Sequence, residues 1–190
     1  MDLDITSETV RDDAAHMTSG EEAPGDEIAF ATGTSTWGMV LAARNAKGVC
    51  AILVGTQVGE LTADLAGRFP QDSLVRDDRR LARDIEKILR FIETPSRGLD
   101  LELDIHGTPF QRRVWGALCA IPTGRTVTYA ALARRIGEPK AVRAVANACA
   151  ANAIALAIPC HRVIRSDGTL SGYRWGVERK RALLAREAQA

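Results

Sequence analysis

The charges of this chain are sorted along its length, and that sorting limits how it can be built. Residues 1–27 carry nine acidic side chains and one arginine, residues 28–103 carry ten of each sign, and residues 104–190 carry fourteen bases against five acids. A formal net charge of +1 conceals this division. The pattern, taken with composition, reads as three units: an acidic tail over 1–27, a neutral domain over 28–100 and a basic domain over 101–190. The tail has few large apolar side chains, so it is expected to stay disordered for want of surface to bury against its ordering entropy. The basic unit is expected to face a polyanion, where counterion release from phosphates supplies much of the affinity; a merely well-solvated surface is the plainer alternative.

With 190 residues and 46% hydrophobic content the chain can bury the core of one large or two small domains. No run approaches the ~20 apolar residues of a membrane span. The first residues are acidic where a secretory signal is basic and then apolar. A soluble, cytoplasmic protein with no membrane partner is expected. Cys50, Cys119, Cys149 and Cys160 are separated by 69, 30 and 11 residues, which offers no metal-ligand pair, so no metal is expected. Cys50, Cys119 and Cys149 read as small buried hydrophobes.

Three runs, Ile28 to Gly33, Trp37 to Arg44 and Val49 to Gly55, read as strands, the last two joined by the turn Asn45-Ala46-Lys47-Gly48. This predicts an antiparallel meander. Helices are expected over Glu60–Arg68 and Asp78–Glu93, the second stopped by Thr94-Pro95. Residues 95–100 form a candidate linker and Leu101 to Ile105 a further short strand. Thr108-Pro109 then starts a helix with Phe110, Val114, Leu118 and Ile121 on one face. A Thr128-capped helix over Tyr129–Ile136, the turn Gly137-Glu138-Pro139 and a helix from Lys140 to about Asn152 complete a helix-turn-helix pattern.

The second helix of that pair is rich in alanine. Major-groove readout needs several long polar side chains, and here Arg143 and Asn147 are the main candidates. A face of small residues, Ala141 and Ala144 among them, instead permits close approach to a narrow groove with one arginine free as a wedge. Packing of the alanines against the neighbouring helix explains the inner face equally well.

Cys160 differs from the other thiols. It opens a polar Cys-His-Arg triplet inside the nearly continuous apolar run Ala153–Ile164. A thiol with a pKa near ~8.5 is mostly protonated at neutral pH, and a neighbouring base or cation is the usual remedy.

Pro159-Cys160-His161-Arg162-Val163, with Asn152 upstream, Ser171-Gly172-Tyr173-Arg174-Trp175-Gly176 downstream and Leu183-Leu184-Ala185-Arg186-Glu187 near the end, resembles the 6-O-alkylguanine-DNA alkyltransferase family. Within that family the chain is most similar to the alkyltransferase half of bacterial adaptive-response proteins. The similarity spans about residues 28–190 and is strongest from Gly107 onward.

The resemblance implies an N-terminal RNase-H-like α/β domain with an antiparallel sheet and a C-terminal helical domain with a winged helix-turn-helix. It implies direct-reversal repair of DNA: one irreversible transfer of a methyl group from 6-O-methylguanine, and from 4-O-methylthymine, to Cys160, with no cofactor. His161 is then the general base acting through water, Glu187 orients it, and Asn152 is the hinge between recognition helix and active-site loop. Tyr129 crowds the target phosphate and donates a proton to the departing base. Arg143, with Ala141, Ala144 and Asn147 on the same helix, enters the minor groove of double-stranded DNA and fills the gap left by a flipped nucleotide. Pro159, Val163, Tyr173, Arg174 and Trp175 form the pocket, and the bulk of Trp175 favours methyl over benzyl adducts. A monomer is expected, with cooperative binding along DNA left open.

The chain departs from adaptive-response relatives in carrying an acidic stretch where they have a zinc-cysteine domain and a separate DNA reader, so no transcriptional-activator role is expected. Three alternatives stand beside this reading. A lesion-binding alkyltransferase-like protein lacks the acceptor cysteine, which is intact here. A winged-helix regulator reads the major groove as a dimer. A cysteine hydrolase needs an oxyanion hole, for which no motif is evident.

Overall fold

The computed structural model describes residues 25–170 and 172–189. The acidic tail expected over 1–27 lies outside them except for Gly25, Asp26 and Glu27, and Glu27 already belongs to the first strand. Strands β1 (Glu27–Ser35), β2 (Gly38–Arg44) and β3 (Val49–Gly55) form the expected meander, antiparallel throughout. Helix α1 (Val58–Arg68) follows, then strand β4 (Ser73–Arg76) and helix α2 (Ala82–Glu93). Asp77 delays the start of α2, because its carboxylate accepts from the Arg80 amide and closes a turn first.

β4 corrects the expectation of an antiparallel sheet. It pairs parallel to β1 and gives the strand order β3-β2-β1-β4. β3 runs in the same direction as β1, so α1 acts as the crossover that parallel strands require. The four residues Ser-Leu-Val-Arg lie at an exposed edge and carry too little alternation to announce a strand. A second correction concerns Leu101–Ile105, where only an isolated bridge forms, Leu103 against Val49 on the β3 edge.

Side chains alternate through the sheet except at a register shift between Ala43 and Arg44 opposite the start of β3. Ile28, Leu41, Cys50 and Leu53 pack with Leu61, Leu65 and Phe69 of the α1 region on one face. Ala29, Ala31, Val40, Ala42, Ile52 and Val54 face a larger core that takes in Ile88 and Ile92 of α2 and continues into the C-terminal helices. The small residues on that face let the C-terminal half come close.

That half contains α3 (Pro109–Cys119), β5 (Val127–Thr128), α4 (Tyr129–Arg135), α5 (Val142–Ala150), β6 (Val163–Ile164) and α6 (Val177–Glu187). β5 and β6 pair in parallel. α3 starts with a full capping box: Thr108 accepts from the Gln111 amide and the Gln111 side chain accepts from the Thr108 amide. Thr128 caps α4. The Trp115 indole donates to the Ala148 carbonyl at 2.9 Å and so fixes α3 against α5. α5 is shorter at both ends than Lys140–Asn152. Among the described residues, no helix is long and apolar enough to cross a membrane.

The cap generates a prediction. Thr108→Ala should lower unfolding stability by about 1 kcal/mol in urea titration, with Thr108→Ser retaining most of the wild-type value.

Candidate active site

Cys160 begins a 3-10 turn, Cys160–Arg162, at the end of a buried loop leaving α5. Asn152 organises that loop. It is fully buried, accepts from the Ile154 amide at 2.8 Å, and donates through Nδ2 to the Ile158 carbonyl at 2.9 Å and the Cys160 sulfur at 3.4 Å. The loop is also stitched to the sheet, because Ile52 donates to Ala153 and Ala155 donates to Ile52, both at 2.9 Å. Leu156 is held at a φ of 71°, a conformation a non-glycine residue keeps only where its surroundings enforce it.

Behind the thiol lies a buried ionic network. His161 Nε2 is 2.8 Å from Glu187 Oε1. Arg162 makes a fork to the same carboxylate, Nε to Oε2 and Nη2 to Oε1, each at 2.9 Å. Its remaining donors reach the Ile121 carbonyl at 2.5 Å and Thr123 Oγ1 at 3.2 Å. The Gly124 amide donates to Glu187 Oε2 at 3.3 Å. A side chain at Gly124, whose φ is 73°, would place its Cβ 2.8 Å from the Glu187 carbonyl oxygen.

The electrostatics follow from this packing. Although burial opposes it, hydrogen bonds from His161 and Arg162 pull the Glu187 pKa down to about 2. Burial lowers that of His161 despite Glu187, so the imidazole is neutral near pH 7. Glu187 accepts at Nε2, which therefore carries the proton and leaves the Nδ1 lone pair free. His161 Nδ1 is buried and has no hydrogen-bond partner among the described residues. Burial pushes the Cys160 thiol up to about 11, opposed by the Asn152 hydrogen bond and the charge of Lys180.

Cys160 opens onto a cavity of about 340 Å³ lined also by Tyr129, Cys149, Gly172, Tyr173 and Arg174, with Ala146 and Ala150 of α5. Its volume lies at the lower end of the ~300–1,000 Å³ usual for small-molecule sites. A wider groove adjoins it, lined by Tyr129, Val142, Arg143, Ala146, Asn147, Arg165 and Gly172. Val142, Arg143, Ala144 and Asn147 are exposed on α5, Ala141 precedes its first turn half-buried, and Val145, Ala148 and Cys149 form its inner face.

Of the expected pocket residues, Tyr173 and Arg174 line the cavity, whereas Pro159, Val163 and Trp175 do not. Trp175 is buried behind Tyr173, edge to face at 5.1 Å, so its bulk reaches the cavity only through that ring. Arg174 is turned toward α1, where it pairs with Asp64 at 2.5 Å. One cysteine departs from expectation, Cys119, which is exposed at the end of α3; Cys149 is buried as expected and also lines the cavity with Cys160. Sequence reasoning missed the structural work of Arg162 and the buried Lys180. Both left a signal, since an arginine within an apolar run needs a partner, and Lys180, Leu183 and Glu187 share one helical stripe.

The fold and site define a protein that presents one buried, hydrogen-bonded cysteine to a small cavity beside an exposed alanine-rich helix. Residues 109–189 match the family model described as 6-O-methylguanine DNA methyltransferase, DNA binding domain. The chain is 49% identical over 167 residues to the Regulatory protein ada of Salmonella typhimurium, covering 87% of this chain and 47% of that protein. It is 41% identical over 142 residues to the inducible methylated-DNA--protein-cysteine methyltransferase of Bacillus subtilis, covering 73% of this chain and 79% of that one. Mycobacterium tuberculosis OGT in complex with DNA superposes with a TM-score of 0.67 at 33% identity, covering 86% of this chain and 93% of that one. The chain belongs to the methylated-DNA--protein-cysteine methyltransferase family. It spans about half the length of the Ada relatives it matches.

The network predicts a pH signature. Replacing Glu187 by Gln leaves Arg162 buried without its counter-charge, so at pH 7 the variant should lose roughly 3–5 kcal/mol of unfolding free energy. Glu187 is ionised in the native state down to about pH 2 and has an ordinary value of 4.5, so its stabilisation is complete above 4.5 and is lost as pH falls toward 2. Urea titrations at pH 7 and pH 3 should therefore show the gap between wild type and Glu187→Gln narrowing in acid.

Proposed function

We propose that this protein is a direct-reversal DNA-repair alkyltransferase that moves the methyl group of 6-O-methylguanine, and of 4-O-methylthymine, onto Cys160 once per molecule. The observation that carries this reading is the Cys160 sulfur, held by Asn152 at the wall of the cavity with the His161–Glu187 pair behind it. With its pKa near 11 only about one thiol in ten thousand is ionised at pH 7, so attack requires proton removal. Neutral His161, with Nδ1 unprotonated, is the base for that step, acting through a water, and Glu187 is its orienting residue. The Cys160 thiolate attacks the alkyl carbon, the sulfur–carbon bond forms, and the carbon–oxygen bond breaks with its electron pair passing to the base. Tyr129 supplies the proton that leaves the departing base neutral, and its phenolate regains one from solvent while His161 releases the proton taken from the thiol. The thioether has no facile leaving group, which makes the transfer irreversible, and no cofactor enters.

The DNA reading rests on α5. We assign residues 28–100 to an RNase-H-like domain and 101–190 to a domain whose α4–α5 pair is a winged helix-turn-helix lying in the minor groove of duplex DNA. Small exposed side chains permit close approach, Arg143 fills the gap left by the flipped nucleotide, and the groove beside it shares Tyr129, Ala146 and Gly172 with the acceptor cavity. A monomer suffices for this chemistry, since every residue invoked comes from one chain.

Intact-protein mass spectrometry after incubation with duplex DNA carrying one 6-O-methylguanine tests the proposal. A single added methyl, mapped to Cys160 and absent in Cys160→Ser, is expected. Arg143→Ala should slow transfer from duplex by about tenfold or more while leaving transfer from the free base unchanged. Tight binding with no mass change would point instead to a lesion-recognition protein.

A further inference from the structure

Trp175 does not line the acceptor cavity, so any limit it sets on adduct size passes through the Tyr173 ring that it backs. Its indole Nε1 is buried without a hydrogen-bond partner among the described residues, which leaves the ring to be placed by packing and by its own backbone. Residues 172–176 form no helix or strand, and the one backbone bond within the stretch runs from the Gly176 amide to the Tyr173 carbonyl at 2.9 Å. The Trp175 carbonyl accepts at 2.8 Å from Nη1 of Arg179, in the first turn of α6. Nε of the same guanidinium donates at 2.9 Å to the carbonyl of Trp37, in the turn between β1 and β2. Arg179 pairs with no carboxylate among the described residues, so its hydrogen bonds go to these two carbonyls. The turn is shaped for this contact. Ser35 Oγ accepts from the Trp37 amide at 3.1 Å and donates to the Gly38 carbonyl at 2.9 Å. Gly38 has a φ of 109°, and a Cβ there would meet the Gly55 carbonyl oxygen at 2.5 Å and Arg179 Nη2 at 3.3 Å, so glycine lets the guanidinium lie close. Two turns further along the same face of α6, Arg186 stacks 5.0 Å over the Trp37 ring.

We propose that Arg179 is a specificity-determining positioning residue: it ties the Trp175 carbonyl to the β1–β2 turn, fixes the Tyr173–Trp175 pair as one wall of the acceptor cavity, and so restricts Cys160 to small alkyl adducts. The size limit of the site is then set in part from the N-terminal half, by a turn far from Cys160 in sequence. Behind Trp175 there is room for the wall to yield, because the ring lines a groove of about 420 Å³ with Gly55, Leu61 and Arg179 on its other side. Without the tie, Trp175 can move into that groove and Tyr173, packed edge to face on it at 5.1 Å, can follow. The Arg174–Asp64 pair secures the residue between the two rings through a long, half-exposed side chain, a looser hold than a bond to the backbone itself.

This inference rests on Cys160 being the acceptor. Rates of alkyl transfer to Cys160 are followed by peptide mass with duplex DNA carrying 6-O-methylguanine or 6-O-benzylguanine, for wild type, Arg179→Met and Arg179→Lys. Met keeps an apolar stem and removes both donors. The ratio of benzyl to methyl rates does not depend on the fraction of protein that is folded, so a loss of stability alone leaves it where it was. It should rise about tenfold in Arg179→Met, with Arg179→Lys, whose ammonium still donates, closer to wild type. An unchanged ratio in a folded Arg179→Met would overturn the proposal. Should that variant fail to fold, Ser35→Ala loosens the turn that presents the Trp37 carbonyl; a smaller rise is expected from it, and no rise would be equally fatal. The same wall is read without DNA by alkylating Cys160 with iodoacetamide or N-benzyliodoacetamide, thiolate displacing iodide in both. A reagent ratio shifted toward the bulkier compound in the variant, with no transfer from methylated DNA in wild type, would count against the repair reading alone. An unshifted reagent ratio would overturn the role of Arg179 whatever the DNA result.

Discussion

The carboxylate of Glu187 is the point on which the C-terminal half depends. It sits on the last helix, yet through Arg162, His161 and the Gly124 amide it reaches the cysteine turn and the segment between α3 and β5. A single buried charge therefore fixes three stretches of chain distant in sequence. Isolated buried ion pairs are poor stabilisers against hydrophobic alternatives, but breaking one is costly, and that asymmetry makes the network a device for specifying geometry. Here the specified geometry is the tautomer of His161 and the placement of the turn that holds Cys160.

The N-terminal sheet contributes to the same end by a different route. Its β3 edge carries unpaired backbone groups, and an open edge is a liability that proteins cover. Leu103 and Ile154 each bridge to it, and the second belongs to the loop that delivers Cys160. Asn152 then sets the path of that loop from within. The sheet is thus an anchor for the acceptor loop, which explains why the larger core runs without interruption from the meander into α3 and α5. Arg174, paired with Asp64 of α1 across 2.5 Å, adds a second tie between the halves at the rim of the cavity.

What could be read in the sequence was what is local. The meander, the capping signals at Thr108 and Thr128, and the stop at Thr94-Pro95 rest on neighbouring residues, and they stand within one or two positions of expectation. β4 escaped because an edge strand of four mostly exposed residues has no periodicity to detect, and its partner lies some forty-five positions earlier. Cys160, His161, Asn152 and Glu187 were legible as a set through family resemblance, but Glu187 alone looks like a solvated carboxylate on a charged helix. The pocket place given to Trp175 came from the family resemblance, which assigns a position in the chain and not the direction of its side chain. Side chains two residues apart in an irregular segment need not share a direction, and here Tyr173 lines the cavity while Trp175 packs edge to face against it.

A thiol this deeply protonated is ill suited to nucleophilic work only if reactivity is expected at all times. A permanently exposed thiolate would be consumed by any oxidant or electrophile, and under the proposed chemistry a cysteine used once could not be replaced. Burial that raises the Cys160 pKa to about 11, opposed by one amide and one ammonium, keeps the sulfur latent. Under the proposed chemistry the free energy for ionisation is supplied when a base-sized ligand fills the cavity and the proton moves toward His161. The same low-dielectric site that suppresses the resting thiolate strengthens every interaction that stabilises charge during transfer. Latency and reactivity then have one physical origin, the burial of a sulfur that already accepts a hydrogen bond from Asn152.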